Sequence, residues 1–241
     1  MTGVTEVAKH TSRHQVWRMF DRIAPRYDLL NRLLSGRRDV AWRKRMAAFL
    51  NDSPHQTVVD VATGTADVLL TFANASPKVH RGFGVDMSTQ MLAIGRNKIA
   101  RAGLSDRFSL IEGDALALPI ENQSCDAATI AFGIRNVEDI QSALSEMRRV
   151  LRSGGRCIVL EFSLPSTRFF RAFYLFYLRH FLPRIGNLIS GDSAAYTYLN
   201  KTIETFPHGE AFCAEMRRVG FSDISAHPQT FGIASIYVGT A

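Results

Sequence analysis

Short runs of β-branched and small apolar residues alternate along this chain with longer stretches whose apolar positions recur at helical spacing. The runs are Val58–Val61, Gly82–Asp86, Arg107–Glu112, Cys125–Phe132 and Arg156–Phe162, with Gly220–Ile224 and Ile233–Val238 closing the chain. Ser88–Arg101, Val137–Leu151 and Pro207–Val219 read as helices between them. Such alternation predicts an α/β fold with a seven-stranded, mostly parallel, doubly wound, Rossmann-like sheet. Ahead of the first strand, apolar residues from Gln15 to Leu34 predict two short helices broken at Pro25, with a corner at Arg26-Tyr27-Asp28. Gly36 ends the second, and a third runs from Asp39 through Trp42 and Met46 to Leu50. The predicted organisation is a helical cap over 1–50, its first twelve residues polar and disordered, and a sheet domain over 51–241 with an aromatic helical insertion near 165–206.

The stretch Val58 to Leu70 reads as strand, tight loop and helix. Gly64 can take a positive φ, and Ala62, Thr63 and Ala66 add little bulk, so a ligand can lie close to the backbone. The first amides of the next helix face it, and Thr65 adds a hydroxyl. Asp60, at the strand end, can hold an ammonium or a polar edge. A dinucleotide site would need three glycines for the pyrophosphate, and this loop has one, so a nucleoside with an amino-acid tail fits better. An ordinary strand-to-helix turn would carry the same residues.

The next strand ends at Asp86, followed by Met87 and Ser88. An acid at the end of the second strand is where a parallel sheet places a carboxylate for both ribose hydroxyls; Ser88 is the alternative helix cap. The third strand leads into Gly113-Asp114-Ala115, where a carboxylate and a backbone amide can read an adenine edge. The fourth ends at Ala131-Phe132-Gly133-Ile134-Arg135-Asn136. Right-handed crossovers bring Gly64, Asp86, Asp114 and Arg135 to one edge of the sheet.

Residues 168 to 182 are nearly all aromatic or apolar. At about 100° per residue, Arg168, Arg171 and Arg179 share a quarter of the circumference, leaving three sides to cover a site, line a tunnel for a hydrophobic substrate, lie on a membrane or simply pack. Net charge is +7 with pI near 9.7, and the whole excess lies in the first fifty residues. That segment lacks the aromatic interleaving of a nucleic-acid surface, so no nucleic-acid partner is expected. No apolar run reaches the roughly 18 residues that span a bilayer, and no signal-peptide pattern opens the chain, which predicts a cytoplasmic protein. The three cysteines, Cys125, Cys157 and Cys213, are far apart and suggest neither a disulfide framework nor a metal centre.

With these motifs in view, the chain resembles the S-adenosylmethionine-dependent C-methyltransferases of menaquinone and ubiquinone biosynthesis. The resemblance is carried by Tyr27 to Asn31, Asp60 to Asp67, Gly113 to Pro119, Ala131 to Asn136, Leu160 to Ser163, Leu182 to Gly186, Gly191-Asp192 and Tyr196 to Leu199. It implies a class I methyltransferase fold and S-adenosyl-L-methionine as cofactor, with Thr65, Asp86, Asp114 and Ala115 among its contacts; Gly64, Asp60 and Met87 join them on the reading above. Ala66 stands where many members have Gly, and Ala131 where Ser is frequent at a cofactor contact. Phe206 to Gly209 departs from the usual His-Pro-Asp pattern.

The implied reaction moves a methyl group to a ring carbon of a prenylated quinol, demethylmenaquinol first and a polyprenyl methoxybenzoquinol as the alternative. Arg135, which stays charged, is expected to stabilise phenolate character, with Asn136 beside it; Tyr27, Tyr196 and His180 are expected near the quinol. Peripheral contact with the inner face of the membrane through 168–182 accompanies that reading, and the oligomeric state stays open. An O- or N-methyltransferase of another small lipophilic molecule shares every cofactor motif, and a non-catalytic cofactor-binding subunit would share them too.

Overall fold

The computed structural model describes residues 18, 21, 24, 27–29, 31–32, 35–181 and 200–241. Its strands β1 (Gln56–Val61), β2 (Val79–Asp86), β3 (Phe108–Glu112), β4 (Cys125–Ala131), β5 (Leu151–Phe162), β6 (Ser222–Gln229) and β7 (Ala234–Thr240) form one sheet in the order β3-β2-β1-β4-β5-β7-β6. The first five pair in parallel, and β7 runs antiparallel to both β5 and β6. The seven-stranded, mostly parallel sheet is therefore present as expected.

Alternate residues of each strand face opposite sides, and both sides are covered, so the strands read as continuous apolar runs. Val59, Val61, Ile130, Val159 and Tyr237 pack on one face with helices α4 (Ile140–Val150) and α6 (Glu210–Arg218). Val58, Ala127, Ile158, Leu160 and Ile236 pack on the other with α1 (Arg38–Met46), α2 (Asp67–Ala75) and α3 (Thr89–Arg101). Trp42 and Met46 of α1 belong to this second core. Gly36 (φ +57°) and Arg37 (φ +63°) turn the chain sharply into α1.

Several expected boundaries are corrected, among them that of α1, which ends at Met46 and passes into a 3₁₀ turn over Ala47–Phe49 instead of running to Leu50. Strand β5 begins at Leu151 rather than Arg156, passing through Gly154 at φ +76° with a shift of register against β4. Strand β6 extends to Gln229. The aromatic helix is α-helical only as α5 (Arg168–Phe176) and continues as a π-helix over Tyr177–Phe181. The expected arc of three arginines assumed 100° per residue throughout; the π segment changes that spacing, and Arg179 pairs with Glu204 at 2.6 Å.

β1 and β4 are neighbours whose following connections leave toward opposite sides of the sheet, and in open α/β sheets the crevice beyond the carboxyl ends of such strands takes the ligand. Here the backbone is strained: Ala62 (φ +50°), Ala66 (φ +64°) and Phe132 (φ +57°) hold left-handed conformations unfavourable to side chains bearing a Cβ.

Candidate active site

A cavity opens at that crevice, lined by Tyr27, Gly64, Asp86, Met87, Asp114, Ala115, Ala131 and Asn136, all of them residues the sequence points to. Ala62, Met91, Phe132, Gly133, Val137 and Glu138 complete much of its wall. The small residues make the room. A Cβ on Gly133 would fall 2.7 Å from that of Ala62, and one on Gly113 would fall 2.9 Å from the Pro119 ring.

Asp86 fastens the loop after β1. One carboxylate oxygen accepts the Gly64 amide at 2.8 Å and the other accepts the Ser88 amide at 2.8 Å. Ser88, not Asp86, caps α3, accepting the Met91 amide at 3.1 Å. Burial pushes the Asp86 carboxyl up, and these amides pull it back. Asp114 accepts the Leu116 amide at 3.0 Å, which holds its turn in place.

Asp60, Thr65 and Arg135 are not among the cavity's lining residues. Asp60 is 1% exposed. It accepts hydroxyl hydrogen bonds from Thr63 at 2.7 Å and from Thr129 of β4 at 2.6 Å, so its side chain ties β1 to its neighbour. Burial outweighs those donors and raises its pKa from 3.8 to about 7. The unfolded chain therefore loses this proton at lower pH than the folded chain does, and stability falls as pH rises between those two values. Asp60→Asn, which keeps the shape and cannot ionise, should gain stability relative to wild type on going from about pH 5 to about pH 8. Urea unfolding of both proteins at both pH values measures it; an unchanged difference would show that Asp60 is not the titrating group.

Thr65 turns toward the N-terminal segment. Its hydroxyl donates to Asp28 at 2.7 Å and accepts from the Lys98 ammonium at 2.8 Å. Lys98 also pairs with Asp28 and, at 2.7 Å, with Asp67. Asp21 accepts the Ser88 hydroxyl. These links hold Tyr27 against Gly64, whose Cβ position lies 3.9 Å from the Tyr27 ring. Tyr27 also hydrogen-bonds Asn31; burial raises its pKa, and that bond and the Arg135 charge counter the rise.

Arg135 follows β4 in a 3₁₀ turn, Ile134–Asn136. Its guanidinium donates to Glu161 of β5 at 2.6 Å and to the Phe132 carbonyl at 2.6 Å, and stands 5.4 Å from the Phe162 ring centre. Glu161 is fully buried, pushed up by that burial and pulled back by Arg135 and the amides of Phe162 and Arg135. Sequence reasoning gave Glu161 no role, although an acid ending a strand, as at Asp60 and Asp86, was the available signal. It also missed Asp28 and Lys98, whose partners lie far away in sequence. His180 is exposed, its ring 4.8 Å from Phe176 and away from the cavity wall. Tyr196, like the stretches 182–186 and 191–199, lies outside the described residues.

Two carboxylates at strand ends, a loop of small residues and an apolar wall that includes Met87 and Met91 suit a nucleoside carrying a short zwitterionic tail. A model of the ubiE/COQ5 methyltransferase family matches residues 6–241. A Geobacter sulfurreducens protein named ubiquinone/menaquinone biosynthesis C-methyltransferase UbiE is 47% identical over 221 residues, 92% of this chain and 86% of its own. A Thermus thermophilus protein named demethylmenaquinone methyltransferase is 46% identical over 221 residues, 92% of this chain and 99% of its own. Among solved structures, a SAM-dependent methyltransferase from Thermotoga maritima has a TM-score of 0.64 at 19% identity, covering 93% of this chain and 99% of that one. The [4+2]-cyclase SpnF has a TM-score of 0.62 at 21% identity, covering 89% and 75%. The two structures establish the fold, which does not by itself specify the reaction.

Proposed function

Because the chain belongs to the ubiE/COQ5 methyltransferase family, we propose that it transfers the methyl group of S-adenosylmethionine to a ring carbon of a prenylated quinol, demethylmenaquinol before the methoxybenzoquinol of ubiquinone synthesis. The observation that carries the acceptor's position is a pair of buried polar atoms without partners, Arg135 Nε and Asn136 Oδ1. Asn136 lines the cavity, and Asn31 is bonded to Tyr27 on the same wall. Buried donors and acceptors normally find partners, and a ring with two oxygens supplies them.

The cofactor is assigned to the cavity, with Asp86 holding the ribose, Asp114 and Ala115 the adenine edge, and Gly64, Met87 and Ala131 its remaining wall. When bound, it supplies an electrophilic methyl on a sulfonium whose leaving group is a neutral thioether. The chain's own work is alignment and charge. Tyr27 and Asn136 fix the ring plane, and the positive charge of Arg135 is directed at one ring oxygen, favouring the phenolate that makes the carbon nucleophilic. Asp60 and Thr65, whose side chains are engaged elsewhere, shape the loop.

A second reading concerns where the reaction happens. Phe169, Phe173 and Phe176 of α5 are 76%, 69% and 53% exposed, beside Arg168, a pattern suited to an anionic membrane face. No helix among the described residues is long and apolar enough to cross a membrane.

Labelled methyl transfer to reduced demethylmenaquinone and, in parallel, to a prenylated methoxybenzoquinol, each carried in anionic vesicles, tests both readings. Label on the naphthoquinol and protein sedimenting with the vesicles are expected. Label on the benzoquinol alone would exchange the acceptor; label on neither, with cofactor bound, would discard the quinol; protein left in the supernatant would discard the membrane contact.

A further inference from the structure

A second cavity, of about 210 Å³ against about 140 Å³ for the first, lies under α5. We infer, resting on the quinol reading above, that it seats the ring-proximal part of the acceptor's isoprenoid chain, and that Phe170 and Phe231 form its mouth. Its wall includes Trp42, Phe162, Tyr174, Leu178, Ile203 and Phe231. The polar groups that border it turn to protein partners: Trp42 Nε1 donates to Thr230 Oγ1 at 3.0 Å, and the Ser35 hydroxyl donates to Asp39 at 2.7 Å. Apart from the Tyr174 and Tyr177 hydroxyls, what remains in the wall is mostly hydrocarbon. A dry apolar cavity of about 150 Å³ accommodates benzene, so this one has room for branched alkene units.

Its position argues for a chain attached to the reacting ring. Phe132 lines the first cavity and Phe162 the second, with ring centres 4.6 Å apart. Trp42 touches both rings, at 6.2 and 6.4 Å. Arg135 lies over Phe162, 5.4 Å from its ring centre. A ring held at Arg135 and Asn136 therefore points a substituent past this aromatic trio into the second cavity.

Two irregularities in the backbone border that space. Tyr177 and Leu178, in the cavity wall, belong to the π-helix that follows Phe176, and Asn200 donates to the Leu178 carbonyl; such bulges are frequent at functional sites. At the β6–β7 corner, Thr230 (φ +43°) and Phe231 (φ +57°) are held in left-handed backbone. Phe231 stays 75% exposed while stacking on Phe170, centres 5.1 Å apart and planes 10° from parallel. A strained residue presenting an exposed ring to a partner across a cavity is a local arrangement that core packing does not require. The distal chain leaves alongside these stacked rings, onto the exposed phenylalanines of α5.

The test compares demethylmenaquinol with 1,4-naphthalenediol, the reduced nucleus without a chain. Ile203→Trp, which fills the cavity, should lower kcat/KM for the chain-bearing acceptor about tenfold or more, through KM, the loss expected when a few methylene-sized groups find no burial. It should leave turnover of the chainless acceptor and cofactor affinity unchanged. Equal losses for both acceptors, or no loss for either, would overturn the assignment.

Because Ile203 is buried and its variant can misfold, a second readout uses Trp42 itself. In Trp17→Phe protein, which leaves Trp42 as the only tryptophan, monobrominated farnesol should quench fluorescence saturably, and farnesol should reverse it. Absent or unsaturable quenching would overturn the proposal. Failure of the wild type to methylate either acceptor would instead sink the quinol reading, and saturable quenching would still establish a hydrocarbon-chain site.

Discussion

Arg135→Met is expected to lower stability by about 3–5 kcal/mol and kcat by about 10²–10³, and adding Glu161→Gln should restore most of the first loss and none of the second. The reasoning starts from the pair. Glu161 is fully buried, and Arg135 is its charged partner at 2.6 Å. Removing the guanidinium alone strands a carboxylate in the core, whereas removing both charges leaves groups of similar volume with no unpaired ion. Catalysis follows a different logic. Phenolate stabilisation needs a cation at the ring oxygen, and a neutral pair has none. Thermal unfolding and labelled transfer on the two single variants and the double variant measure both quantities. A double variant that regains activity along with stability would mean that Arg135 serves only to neutralise Glu161.

Asp86→Asn should raise the S-adenosylmethionine Kd by about 10- to 100-fold, with kcat at saturating cofactor far less affected. Asp86 uses one oxygen for the Gly64 amide and the other for the Ser88 amide. An asparagine offers one acceptor oxygen, and its amide nitrogen meets an N–H head-on, so one of those amides loses its partner. A hydrogen bond to a charged group contributes roughly 1.5–3 kcal/mol, and each 1.4 kcal/mol is about tenfold in binding. Losing the carboxylate's hold on the loop, together with its proposed bond to the ribose, gives the range stated. Isothermal titration measures it. An unchanged Kd would leave Asp86 as a loop fastener and move the ribose elsewhere in the cavity.

Much of this was legible because strand ends are written in the sequence. Apolar runs closing on Asp60, Asp86 and, after a turn, Asp114 give both the strands and the edge where they converge, since a parallel sheet puts all such ends on one side. What was illegible depends on the third dimension. A hydroxyl in a glycine loop looks available for a ligand, yet Thr65 donates to Asp28, thirty-seven positions away. Asp60 looks free to meet an ammonium until Thr129 arrives from the neighbouring strand. Glycine marks only one of the left-handed positions in the β1 loop; Ala62 and Ala66 take the same conformation under tertiary constraint, which residue type does not announce. The π-helix after Phe176 is invisible to a reading that assumes a fixed period.

The three cysteines gain a meaning from the acceptor. The oxidised form of an unmethylated quinol has an open ring carbon conjugated to a carbonyl, which is an electrophile for thiolates, the same carbon that methylation closes. Cys125, Cys157 and Cys213 all sit in the core on the α4–α6 face of the sheet, no more than 3% exposed. Burial pushes each thiol's pKa upward, away from the reactive thiolate. A protein built this way can handle a redox-cycling, arylating compound while presenting it no exposed thiol.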